Sequence, residues 1–125
     1  MDFRKFYIPT VMAGLALLTS ANQAQAQTTS DLTGTWYCGS TRAPNYIRQV
    51  GSELWNLNDG GYQYTNTFNG TVLNGFINGR WADLPKAGYT NYGYVSGKVV
   101  SATTITLNYT FVSAGGTVSS STCTR

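Results

Sequence analysis

The chain contains no histidine, and only 10% of its 125 residues are charged. The first absence removes the commonest general base and the commonest metal ligand. With two cysteines and no histidine, a four-ligand Cys/His zinc site is excluded, and no metal or other cofactor is expected. Charge is sparse in both signs, the formal balance being +3. Beyond the leader discussed below, Arg42, Arg48, Arg80, Lys86, Lys98 and Arg125 are scattered along the chain. Nucleic-acid binding by counterion release needs clustered positive charge, so no nucleic-acid partner is expected. Helical periodicity is missing too: no window repeats its apolar residues every 3.6 positions.

Long apolar runs are confined to the start. Arg4 and Lys5 precede an uncharged, mostly apolar stretch from Phe6 to Leu18, and Ala24-Gln25-Ala26 follows. That order is the pattern of an export signal cleaved after Ala26. The apolar stretch is shorter than the about 20 residues a membrane-spanning helix needs. The expected organisation is therefore a signal peptide over 1–26 and one domain over 27–125, with no membrane span after cleavage. Export places the domain in a bacterial periplasm or outside the cell, where Cys38 and Cys123 are expected to be joined. In a chain-entropy treatment such a link stabilises a domain of this size by about 4–5 kcal/mol.

What the chain has in abundance is period two. In Thr103–Phe111, Ile105, Leu107, Tyr109 and Phe111 alternate with Thr104, Thr106, Asn108 and Thr110. Comparable runs, bounded by Gly, Asn, Asp and Pro, predict strands over Thr33–Gly39, Tyr46–Val50, Glu53–Asn58, Tyr62–Leu73, Phe76–Leu84, Tyr92–Val100 and Thr117–Thr124. Eight short strands with tight connections describe an all-β fold, a small antiparallel up-and-down barrel or a small sandwich.

Two registers follow from residue types. Three Asn-Gly pairs lie close together, Asn69-Gly70, Asn74-Gly75 and Asn78-Gly79, and since all three cannot be turns without leaving strands too short to pair, Asn74-Gly75 is taken as the two-residue type I′ turn. It pairs Val72 with Ile77, Gly70 with Gly79, Phe68 with Trp81 and Asn66 with Asp83, which places the apolar pairs on one face. Gly70 opposite Gly79 permits a sharp bend. In a closed barrel the first and last strands are neighbours, and placing Cys38 opposite Cys123 sets Trp36 opposite Arg125. A guanidinium over an indole is a favourable pair. The disulfide would then close the barrel's edge.

Leu32-Thr33-Gly34-Thr35-Trp36-Tyr37 on the first strand, with an arginine able to cover the tryptophan from the last, resembles the lipocalin and avidin (calycin-type) barrels. The resemblance implies the barrel. Biotin binding does not carry over, because Cys38 stands where avidins place a ligand-binding asparagine. Three tracts, Gly34-Thr35-Trp36-Tyr37-Cys38, Tyr46-Ile47-Arg48-Gln49-Val50-Gly51 and Trp81-Ala82-Asp83-Leu84-Pro85-Lys86, resemble a group of short exported bacterial proteins with no assigned activity.

Little catalytic chemistry is present. Asp31, Glu53, Asp59 and Asp83 are the carboxylates beyond the leader. Asp59-Gly60-Gly61 reads as a turn, so Glu53 and Asp83 are the one candidate pair for glycosidase-like work. No Ser-His or Cys-His couple exists, and no catalytic residue is assigned. The register sends Asp83 inward beside Asn66, above an aromatic floor of Tyr64, Phe68 and Trp81. A mostly apolar pocket with few polar groups suits a small molecule or a glycan. Alternatively, Asp83 ties down the turn that follows it. Trp36, Phe68, Trp81, Tyr109 and Phe111 are the expected inward aromatics, while Tyr89, Tyr92 and Tyr94 are expected on a surface.

The expected function is therefore a non-enzymatic exported binding protein with its ligand at the barrel mouth, through Tyr64, Asn66, Phe68, Trp81 and Asp83. The alternative is an interaction module for another exported protein, such as a periplasmic protease inhibitor. A hollow interior favours the first, and a barrel filled by its own side chains favours the second.

Overall fold

The computed structural model describes residues 30–86 and 88–125. The expected signal peptide over 1–26 lies outside them. Eight strands follow one another: β1 Gly34–Cys38, β2 Ala43–Val50, β3 Glu53–Asp59, β4 Tyr64–Leu73, β5 Phe76–Pro85, β6 Tyr92–Ser101, β7 Thr104–Phe111 and β8 Thr117–Thr124. Each pairs antiparallel with the next, and β8 returns to β1 to close the barrel. A single short 3-10 turn, Val112–Ala114, interrupts the strands. Of the two all-β arrangements open to the sequence, the closed barrel is the one formed.

Both expected registers are present. Val72 pairs with Ile77, Gly70 with Gly79, Phe68 with Trp81 and Asn66 with Asp83. Asn74 and Gly75 take φ of 51° and 79°, the left-handed geometry of the type I′ turn. A Cβ on Gly70 would sit 2.8 Å from the Cα of Gly79, so the two backbones approach more closely than a side chain allows. The fourth strand begins two residues later than expected, because Asp59-Gly60-Gly61 turns the chain. Gly61 N–H donates to Asp59 Oδ1 at 3.0 Å, and Tyr62 is fully exposed beyond it.

The closing seam is short. β1 and β8 share two pairs, Tyr37 with Thr124 and Cys38 with Cys123. A disulfide joins the two cysteines across 85 residues of chain. Gly39 N–H also donates to Thr122 O at 3.1 Å. Beside the seam the Arg125 guanidinium lies 4.4 Å from the Trp36 ring centroid. It donates from Nε to Ala102 O at 2.8 Å, from Nη1 to Thr33 O at 3.1 Å and from Nη2 to Asp31 O at 2.9 Å. Trp36 Nε1–H donates to Leu32 O at 2.8 Å, so the segment before β1 folds under the barrel. Leu32 and Trp36 are fully buried there and seal that end.

The interior is apolar toward this sealed end, where Leu54, Ile77, Ile105 and Leu107 pack with Leu32 and Trp36. Its character changes toward the other end. Asn45 faces Asn58, Asn58 faces Asn66, and Asn66 faces Asp83, forming one inward row across β2, β3, β4 and β5.

Candidate functional site

The cavity at the open end has a volume of about 300 Å³. Asn58 on β3, Tyr64 and Asn66 on β4, and Trp81 and Asp83 on β5 form one side. Tyr109 and Phe111 on β7 with Ser119 and Ser121 on β8 form the other, and Tyr89 and Asn91 overhang from the loop after β5. Four of the five expected site residues, Tyr64, Asn66, Trp81 and Asp83, thus come together. Phe68 does not line the cavity. It is 1% exposed and sits in the core beneath, opposite Trp81.

Trp81 is held by its neighbours. Its ring meets Phe111 edge-on at 4.8 Å and Tyr109 at 5.7 Å. Its Nε1–H donates to Thr110 O at 3.3 Å, reaching across β6. That reach passes over Gly93, which pairs with both Trp81 and Phe111. A Cβ at Gly93 would collide with the Thr110 carbonyl, so a side chain there is incompatible with the observed strand spacing. At the rim, Tyr64 and Tyr89 meet edge to face at 5.9 Å.

Asp83 takes its partner from a loop rather than from the neighbouring strand. No hydrogen bond joins it to Asn66 among the described residues. Instead Oδ2 accepts from Asn91 N–H at 2.9 Å, and Asp83 N–H donates to Asn91 O at 2.8 Å. The carboxylate therefore fastens the far end of the loop after β5, not the Leu84-Pro85-Lys86 turn beside it. The same loop is tied to the turn after β7, where Ser113 Oγ donates to Asn91 Oδ1 at 3.0 Å. Glu53, the other half of the candidate carboxylate pair, points outward. It pairs with Val50 and Thr71, whose side chains are exposed, so Glu53 and Asp83 lie on opposite faces of the sheet.

The polar atoms facing inward are incompletely satisfied. Asn56 Nδ2–H donates to Asn45 Oδ1 at 3.0 Å, and Asn45 Nδ2–H to Ala43 O at 3.2 Å. The amide oxygens of Asn56, Asn58 and Asn66 are buried without a partner among the described residues. Each such oxygen costs about 1–3 kcal/mol relative to a bonded one. Burial also pushes the Tyr109 phenol far above its ordinary ionisation range, with Tyr64 adding to the effect. Asp31 and Asp59, by contrast, sit at the surface and are held below the usual carboxylate range by backbone donors, Thr33 and Gly61 respectively.

The sequence did not mark Asn58, Asn91, Ser119 or Ser121. In β3 the large apolar residues Trp55 and Leu57 face out, 42% and 40% exposed, while Asn56 and Asn58 face in. Hydropathy alternation alone would turn this strand the other way. The signal that finds Asn58 is the register: once Asn66 faces inward, its partner across β3–β4 must as well.

An eight-stranded, antiparallel, closed barrel with an arginine-capped tryptophan at its sealed end is consistent with a calycin-like fold. No family model, curated protein or solved structure matches the chain.

Proposed function

We propose that this is an exported, non-enzymatic binding protein that takes a small ligand into the open end of its barrel. The observation that carries the reading is the cavity of about 300 Å³ in which aromatic rings stand beside Asn58 and Asn66, whose amide oxygens have no partner among the described residues. A barrel filled for its own sake pairs its buried polar groups. Aromatic walls with a few convergent polar groups are the usual composition of ligand sites. The disulfide suits an oxidising compartment, and among the described residues no helix is long and apolar enough to cross a membrane.

Native mass spectrometry of protein purified from cells tests this. A small-molecule adduct should persist on the wild type and disappear from Asn66→Leu and Trp81→Phe variants shown by near-ultraviolet circular dichroism to be folded. A bare chain, or an adduct indifferent to both substitutions, overturns the reading.

The interaction-module reading is favoured by a different observation. On the outer face Tyr46, Trp55, Leu57, Tyr92 and Tyr94 are all exposed, and Arg80 lies 5.9 Å over the Tyr94 ring. A complex with another exported protein, seen in the same spectra and lost in Trp55→Ser, supports that alternative.

A further inference from the structure

The chemistry of the cavity narrows the ligand, on the reading that a ligand binds there. Asp83 is the one charged residue lining it, and its Oδ1 takes no hydrogen bond among the described residues. No cation of the described residues pairs with it. The one ion pair there, Lys86 with Asp59 at 3.2 Å, lies outside the cavity. Arg80 is occupied with Tyr94 on the outer face, and Arg125 is at the sealed end.

The neutral polar groups can serve the same ligand. The strongest fixed donor of the site, the Trp81 indole N–H, is already spent on Thr110 O. Asn58 and Asn66 hold amide oxygens with no donor. The terminal torsion of asparagine is soft, so either amide can turn its oxygen or its N–H2 toward a ligand. Asn91, Ser119 and Ser121 add polar groups that can donate or accept, and the remaining walls are ring faces and edges: Tyr64, Trp81, Tyr89, Tyr109 and Phe111. Ring faces carry negative electrostatic potential and attract cations, most strongly where water is excluded. An anion would meet an unneutralised carboxylate at short range in a partly desolvated site, where like charges repel strongly.

We infer that the ligand is a small organic cation, an amine bearing an apolar or aromatic body. Its ammonium N–H groups would donate to Asp83 and to the turned amide oxygens of Asn58 and Asn66. Its carbon body would lie against Trp81, Tyr109 and Phe111. At about 30 Å³ per water, the cavity volume equals about ten waters. It thus has room for a single-ring amine.

Three probes of one shape and different charge test the assignment: phenethylamine, phenethyl alcohol and hydrocinnamate, titrated while following the Trp81 indole N–H signal by NMR. The amine should bind about tenfold more tightly than the alcohol, with hydrocinnamate weakest. In Asp83→Asn, whose amide oxygen still accepts from Asn91 N–H, the preference for the amine should fall to about twofold or less. Equal or tighter binding of the alcohol or the acid overturns the cationic ligand and leaves the cavity as a binding site. An amine preference that survives Asp83→Asn overturns the assignment of Asp83. Failure of all three probes to move the signal at tens of millimolar overturns the binding cavity as well.

Discussion

Reducing the Cys38–Cys123 disulfide should open the barrel at one particular place. The link spans 85 residues of chain, and the chain-entropy relation gives about 4–5 kcal/mol for a loop of that length. A domain's whole stability is typically about 5–15 kcal/mol, so this is a large share. The seam it crosses has two residue pairs, whereas β4 and β5 share ten. In urea, with a slope of about 1–2 kcal/mol/M for a domain of this size, reduction of the wild-type protein should lower the unfolding midpoint by about 2–5 M. Reduction deletes no side-chain atoms, so no truncation cavity contributes to the shift. Hydrogen exchange on the reduced protein should show β1 and β8 losing protection well before β4 and β5. A midpoint shift under about 0.5 M would refute the entropic reasoning. Protection lost evenly over all strands would refute the seam as the weak point.

Two further outcomes follow from packing and ionisation. Gly93→Ala should cost about 1–3 kcal/mol through overpacking, measured by urea unfolding, and should perturb the near-ultraviolet signal of Trp81, whose indole reaches Thr110 over that glycine; an unchanged midpoint would show the strand spacing to be more yielding than its geometry implies. The raised pKa of Tyr109 means that the unfolded chain releases this proton at a lower pH than the folded one, so the stabilisation is whole below about pH 10 and fades as pH rises. Tyr109→Phe should therefore be less sensitive to alkali than the wild type, and ultraviolet titration should show one phenol ionising only on unfolding; a phenol that titrates normally in the folded protein would refute its burial as the cause.

Much of the fold could be read from a few residues whose chemistry has one geometric answer. Asn74-Gly75 admits one tight turn, and from it every pair between β4 and β5 follows by counting. Cys38 and Cys123 fix the closing register in the same way, and with it the approach of Arg125 to Trp36. The site was legible where those registers reach, at Asn66, Trp81 and Asp83. It was not legible on β2 and β3, where Tyr46, Trp55 and Leu57 face out and Asn45, Asn56 and Asn58 face in. There the ladder with β4 decides which face is inside, against the hydropathy of the strand itself. The partner of Asp83 was missed for another reason. Asn91 is eight residues away along the chain, and loop geometry leaves no periodic trace in sequence.

The strand order also makes all but one of the pairings local in sequence. Every strand from β2 to β7 is bonded to its immediate predecessor and successor, so seven of the pairings are hairpins between strands adjacent in sequence. Such local contacts favour fast folding. The eighth pairing joins the first strand to the last, and its cysteine arrives only with β8. Joining Cys38 to Cys123 is a two-electron oxidation that draws on an outside oxidant, and the two thiols face each other only where the first and last strands meet.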